Sequence, residues 1–224
     1  MGEVLNVFKP KGFTSFDVVK IVKEKLGVRK AGHAGTLDPM AEGVLIVLTD
    51  EETKNQNSYM HLEKEYYAGI AFGIETDTYD LEGKITCVYE NPETAFKAYE
   101  FNEVISSFLG KIKQVVPFYS AVKVKGRRLY DIARSGVKNY TALPVREVEI
   151  KDIKVEGFEV KRVEKVKKDF PVLSIRVVCQ SGTYIRSLAH DLGKKMGTGA
   201  TLIKLVRTMV GKFKVEDSLN LDDL

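Results

Sequence analysis

The chain has 224 residues, 44% of them hydrophobic and 29% charged, with a formal net charge of +4. That length corresponds to one large globular unit or two unequal ones, and the composition excludes both a disordered chain and a disulfide scaffold. The longest apolar run, Val44-Leu45-Ile46-Val47-Leu48, falls far short of the roughly 20 residues a membrane helix needs, and the N-terminus lacks a signal-peptide core, so the expected location is the cytoplasm.

In chain order, Val4 to Phe8 reads as a strand broken by Lys9-Pro10-Lys11-Gly12. Thr14 or Ser15 then caps a helix on which Phe16, Val19, Val22 and Leu26 recur at helical spacing, and Gly27 stops it. Arg29 to Gly43 loses periodicity and reads as a structured loop, and Val44 to Leu48 as a buried strand. Residues 50 to 63 are polar, helical or irregular. Strands are predicted at Glu65 to Phe72 and Lys84 to Tyr89, around a turn-rich Thr76 to Asp80. Then come a helix over Thr94 to Leu109, a strand over Tyr119 to Val124, a short helix over Leu129 to Arg134 closed by Gly136, and long β-type runs at Glu147 to Val160 and Val172 to Gln180. A helix from Tyr184 to Met196 and a strand from Leu202 to Val210 complete the pattern. Strands outnumber helices without βαβ alternation, which predicts an α+β fold: a mixed, mainly antiparallel β-sheet with helices packed on it.

Several chemistries are set aside by what is missing. Cys87 and Cys179 lack CxxC spacing and read as buried thiols in a reduced compartment. His33, His61 and His190 are far apart and lack HExxH spacing, so no metal is expected. Neither GxGxxG, GxxxxGK[ST] nor GxSxG occurs, which implies no nucleotide cofactor and no serine nucleophile. Basic residues cluster at Lys111, Lys113, Lys123, Lys125, Arg127, Arg128 and Arg134, interleaved with Tyr119 and Tyr130, and again at Lys194, Lys195, Lys204, Arg207, Lys212 and Lys214. That pattern makes a nucleic acid a candidate partner. Within the loop Gly32-His33-Ala34-Gly35-Thr36-Leu37-Asp38-Pro39, small residues let backbone approach a ligand. Asp38 reads there either as a carboxylate presented to a substrate or as a turn residue before Pro39, and spacing alone leaves both open.

The stretch Gly32 to Leu45, GHAGTLDPMAEGVL, resembles the catalytic motif of the bacterial tRNA pseudouridine synthase B family. Four further stretches agree in order: Lys9 to Ser15, Lys64-Glu65-Tyr66, Pro117 to Gly136, and Ser181 to Leu188 as SGTYIRSL. The resemblance covers nearly the whole chain. It implies the pseudouridine synthase fold and isomerisation of the T-loop uridine of tRNA, conventionally numbered 55, in which the N1 glycosidic bond breaks and a C5 bond replaces it. No cofactor is consumed, and the implied partner is the T-arm stem-loop of tRNA; a monomer is the default expectation, and no membrane partner is expected.

By that resemblance Asp38 is the catalytic carboxylate, attacking the ribose C1′ or removing the 2′ proton. A carboxylate acting at an anomeric carbon has its precedent in glycosidases. Arg186 is implied as the guanidinium that keeps this acid charged and aimed. Tyr66 resembles the family's active-site tyrosine, which stacks on the target base. The base must be flipped from its stack at a cost of a few kcal/mol, and the flat imidazole of His33 is the candidate to brace the gap. Lys9 resembles the motif lysine that supports the site, Leu205 matches a leucine packing on the base, and Lys64 is placed for a phosphate contact. Lys123, Arg127 and Arg128 join the RNA-binding set. Val116 stands where the family often has a first proline before its YSA segment, and the chain ends at Leu224, where many relatives continue into a PUA domain, so residues 1–224 are expected to form the catalytic domain alone. A guide-RNA-dependent relative and a noncatalytic tRNA-folding module are the alternatives.

Overall fold

The computed structural model of the chain describes residues 2–92, 98–137 and 143–224. Its contacts divide into two compact units: 1–68, 176–181 and 204–224 in the first, and 69–175 and 182–203 in the second. Among the described residues no helix is long and apolar enough to cross a membrane.

The first unit opens with β1 (Val4–Lys9) and α1 (Ser15–Leu26). α1 starts where expected because Thr14 and Asp17 cap each other: the Asp17 amide donates to Thr14 Oγ1 at 3.1 Å, and the Thr14 amide donates to Asp17 Oδ2 at 2.8 Å. It stops at Gly27, whose φ of 63° suits a residue without a Cβ. The region expected to be loop contains a three-residue strand, β2 (Ala31–His33), too short to leave a hydrophobic pattern. β3 (Glu42–Thr49) pairs antiparallel with both β1 and β2.

β3 is buried on both faces, and the period of two sorts its side chains. Leu45 and Val47 pack with Val7 and with Val18, Val19 and Val22 of α1, while Val44, Ile46 and Leu48 turn to the opposite core with Val210 and Phe213. Residues 50–63 form a 3-10 turn (Asp50–Asn55) and α2 (Gln56–Met60). Strand β12 (Ala200–Val210) joins β3 in parallel, Val206 opposite Glu42 and Arg207 opposite Gly43, and β13 (Phe213–Lys214) closes a hairpin on β12. Two more strands, β4 (Lys64–Phe72) and β11 (Lys168–Cys179), contribute residues to both units, as β12 does.

In the second unit β10 (Val145–Val163) forms a hairpin with β11 and pairs antiparallel with β7 (Gly110–Val115). β7 was not expected. It ends the strand order and is largely exposed, so it carries no clean alternation. β5 (Ile74–Thr76) and β6 (Ile85–Val88) form a small hairpin whose Ile74 and Ile85 pack with Ala71, Phe170 and Val172. The helix expected over Thr94 to Leu109 is α3 (Ala98–Ser106), and its expected first turn lies outside the described residues.

The strand expected over Tyr119 to Val124 reduces to β8 (Lys123–Val124), paired with β9 (Arg127–Arg128). The residues before it spend their carbonyls elsewhere: Tyr119 O on Arg186, Ser120 O on the Tyr130 amide. α4 (Leu129–Arg134) and α5 (Ile185–Met196) occupy the expected positions, and α5 ends at Gly197 with φ 71°. The mixed, mainly antiparallel α+β architecture is therefore the expected one.

Candidate active site

The loop between β2 and β3 is held from three sides, all within the first unit. From α1, Ser15 Oγ accepts from the Leu37 amide at 2.9 Å and donates to Leu37 O at 3.2 Å, immediately before Asp38. From the Lys-Pro-Lys-Gly turn, the Gly12 amide donates to Pro39 O at 2.8 Å. Lys9 is fully buried, and its ammonium donates to Phe13 O at 2.7 Å, Pro10 O at 2.9 Å and Pro39 O at 3.4 Å. A buried ammonium is tolerated only when its donors are matched in this way. The Asp38 carbonyl accepts from the Ala41 amide at 3.0 Å, so the acid is also a turn residue, and its side chain stays half-buried.

The third side is Arg207. Sequence reading placed it with the exposed basic surface, and that assignment is corrected: Arg207 is 1% exposed, on the face of β12 that also buries Leu205. Its Nε donates to Val44 O at 2.8 Å, Nη2 to Gly35 O at 3.1 Å and Nη1 to Thr36 O at 3.5 Å. Gly43 permits the approach, because a Cβ there would lie 2.3 Å from Arg207 O, at a φ of 107°. Gly43→Ala is expected to cost about 2–3 kcal/mol, since both backbone conformation and strand spacing must yield. A urea midpoint unchanged from wild type would contradict that close approach.

Tyr66, on β4, is buried. Burial raises its phenol above the ordinary range, the Arg207 cation and a hydrogen bond to it act in the opposite direction, and the Asp38 charge adds to the rise. Asp38, Tyr66 and Arg207 thus share one electrostatic environment. His33 is half-buried; burial, then Arg207, lowers its affinity for a proton, and its Nδ1 has no hydrogen-bond partner among the described residues. Gln56 Nε2 donates to His33 O at 2.7 Å, which ties the 3-10/α2 segment to the loop.

Lys64 is also corrected. Instead of reaching outward to a phosphate it is 4% exposed, and its ammonium donates to Met60 O at 2.5 Å and to Leu62 O, closing the C-terminal end of α2. Burial, and then Arg207, push this ammonium down to about 8. An unfolded lysine keeps its proton to about pH 10.4, so above pH 8 the folded chain releases its proton first. The penalty for burying the charge is therefore complete below that point and relieved as pH rises toward the unfolded value, by at most about 3 kcal/mol. Relative to Lys64→Met, the wild type should gain stability between about pH 8 and 10. Parallel urea titrations across that range would show no divergence if the ammonium were well solvated.

Arg186, Lys123, Arg127 and Arg128 belong to the second unit. Arg186, in the first turn of α5, is 4% exposed; it donates through Nη1 to Thr78 O and through Nη2 to Tyr119 O, each at 2.9 Å, with Nε 3.6 Å from Asp80 Oδ2. Sequence reading missed Asp80. This carboxylate is itself buried and accepts from Thr78 Oγ1 at 2.6 Å and the Glu82 amide at 3.0 Å. The start of α5 is fixed by Gln114, whose side chain makes two bonds with the Tyr184 backbone. Lys123, Arg127 and Arg128 are exposed on the β8–β9 hairpin. Arg128 and Arg134 flank the Tyr130 ring, at 5.7 and 5.6 Å from its centroid.

Residues 23–185 match the family model described as TruB family pseudouridylate synthase (N terminal domain), and 186–224 match the tRNA pseudouridylate synthase B C-terminal domain. The chain belongs to the TruB family. Among its relatives in that family, the tRNA pseudouridine synthase B of Clostridium tetani is 43% identical over 224 residues, all of this chain and 73% of the relative. That of Parabacteroides distasonis is 40% identical, over all of this chain and 92% of its own length. Among solved structures, a Cbf5-Nop10-Gar1 complex contains a chain with a TM-score of 0.70 and 29% identity, and an H/ACA RNP bound to a substrate RNA containing 2′-deoxyuridine gives 0.68 and 28%. Each alignment covers 99% of this TruB-family chain but only 53% and 51% of the solved ones, so the chain spans about half their length.

Proposed function

We propose that the chain isomerises the T-loop uridine of tRNA to pseudouridine, with Asp38 as its catalytic carboxylate. The observation that carries this reading is the loop from Gly32 to Leu45, whose family sequence coincides with a scaffold that commits Ser15, Lys9 and Arg207 to holding the segment around Asp38. An acid with no chemical task does not require three buried side chains to place it.

In the proposed reaction Asp38 acts at the sugar, either as nucleophile on C1′ or as base toward the 2′ proton. The N1–C1′ bond breaks with its electron pair on uracil, the freed base turns in place, C5 bonds to C1′ as Asp38 leaves that carbon or returns the 2′ proton, the C5 proton leaves to solvent and N1 takes one up. Tyr66 supplies the face on which the base turns, and Leu205 packs beside it. His33, half-buried, offers its flat ring to an RNA loop whose base has been flipped out. Lys9 and Lys64 position the backbone and make no phosphate contact, as their buried ammonium groups support. Phosphate neutralisation falls to exposed cations such as Lys123, Arg127 and Arg128. Arg186 enters from its motif, and Asp80 holds its guanidinium in orientation.

A guide-RNA-dependent reading is the alternative, since one of the solved chains comes from an H/ACA RNP bound to a substrate RNA. The relatives at 40–43% identity favour a stand-alone enzyme over those at 28–29%. The test is tritium release from an unmodified tRNA transcript labelled at uridine C5, with purified chain and no guide RNA. Release that maps to the T-loop uridine is the expected result, from a species sizing as a monomer. Release only after a guide RNA is added would replace this reading with the alternative, and none under either condition would reject both.

A further inference from the structure

We propose that Arg207 is the positioning residue of this site: one buried guanidinium that holds the Asp38 loop against β3. The inference rests on the function proposed above only in treating Asp38 and Tyr66 as the groups that meet the substrate.

Burying a guanidinium is costly unless its donors are satisfied, and carbonyls satisfy them without cancelling the charge. The acceptors of Arg207 are Val44 O on β3 and Gly35 O and Thr36 O in the loop before it. The positive charge therefore survives at the site, where it opposes protonation of His33 and Lys64 and favours the ionised form of Tyr66.

The acceptors lie in the loop and on β3, while the donors sit on one rigid plane carried by β12, 163 to 172 residues further along the chain. A planar fork cannot let one acceptor drift without straining its bonds to the others. Gly35 and Thr36 lie three and two residues before Asp38, and the Ser15 clamp holds Leu37 between them, so the chain from Arg207 to the acid has little slack. The sequence provides for this approach at Gly43, which lets β3 meet the Arg207 backbone in register. A cation kept only for packing would not need two consecutive loop carbonyls.

The experiment compares Arg207→Lys and Arg207→Met with wild type in three measurements: single-turnover tritium release at saturating chain, the dissociation constant for tRNA, and amide hydrogen exchange resolved to residues 34–41 and, as a reference, α1. Lysine keeps a charge but loses the fork. Arg207→Lys is expected to leave tRNA affinity within about threefold, to slow release at least about thirtyfold, and to speed exchange over 34–41 while α1 is unchanged. Arg207→Met should show a larger loss of the same kind, and if it does not fold the lysine variant decides alone. A wild-type rate in Arg207→Lys overturns the proposal, as does a rate loss matched by lost affinity, which would make Arg207 a binding residue. Unchanged exchange over 34–41 overturns it as well. If the wild type releases no tritium, the pseudouridine reading fails, and exchange over 34–41 still decides whether Arg207 holds the loop.

Discussion

Asp38→Asn is expected to bind tRNA with nearly wild-type affinity and to release tritium at least about 10⁴-fold more slowly than wild type. The amide has the size of the acid, and the turn is held through main-chain carbonyls that the substitution keeps: Asp38 O accepts from Ala41 N, and Pro39 O accepts from Gly12 N and Lys9 Nζ. What disappears is the anionic lone pair, and both routes at the sugar need it, whether for attack on C1′ or for removal of the 2′ proton. The comparison calls for single-turnover conditions, where affinity and chemistry separate, and for mass spectrometry to exclude deamidation back to aspartate. An asparagine variant within tenfold of wild type would remove Asp38 from the chemistry. A variant that failed to bind tRNA would instead make the acid part of the docking surface.

The second large effect lies at Asp80. Asp80 and Arg186 are each 4% exposed, and removing one member of a buried ion pair typically costs about 3–5 kcal/mol because the other charge stays where water cannot reach it. Asp80→Ala should lose stability in that range by urea denaturation. It removes the carboxylate 3.6 Å from Arg186 Nε and also the acceptor of the Thr78 hydroxyl and the Glu82 amide. Asp80→Asn, which keeps an acceptor but no charge, should fall between. Tritium release should drop as well, since the Arg186 guanidinium would then be oriented by the Thr78 and Tyr119 carbonyls with no help from Asp80. A loss under about 1 kcal/mol for Asp80→Ala would show that this pair is solvated and does not fix the arginine.

These two residues differ in how far they could be read in advance. Asp38 was legible because its neighbours form a continuous motif, GHAGTLDP, and a motif is local by nature. Asp80 sits in a turn-rich segment where aspartate is ordinary, and its partner is 106 positions away. Arg207 was misread for a related reason. In a list of basic residues it sits with Lys204 and Lys212, both exposed, and only strand parity with Leu205 could have hinted that it points inward. Lys64 was put on the correct face of β4, beside Tyr66, but its ammonium was expected to point outward. What turned it inward were the free carbonyls at the end of α2, Met60 O and Leu62 O.

From the linear chain alone one could obtain whatever depends on near neighbours: the capped start of α1, its stop at Gly27, the buried β3, the absence of cofactor motifs, and the acid in its glycine-flanked loop. Such features draw on capping bonds, backbone conformation and hydrophobic period, all of which act over a few residues. Tertiary structure decided which charges are buried and what satisfies them. A buried cation is stable only where distant carbonyls or carboxylates converge on it, and that convergence is created by strand pairing, such as Arg207 against Gly43, with no trace in local sequence.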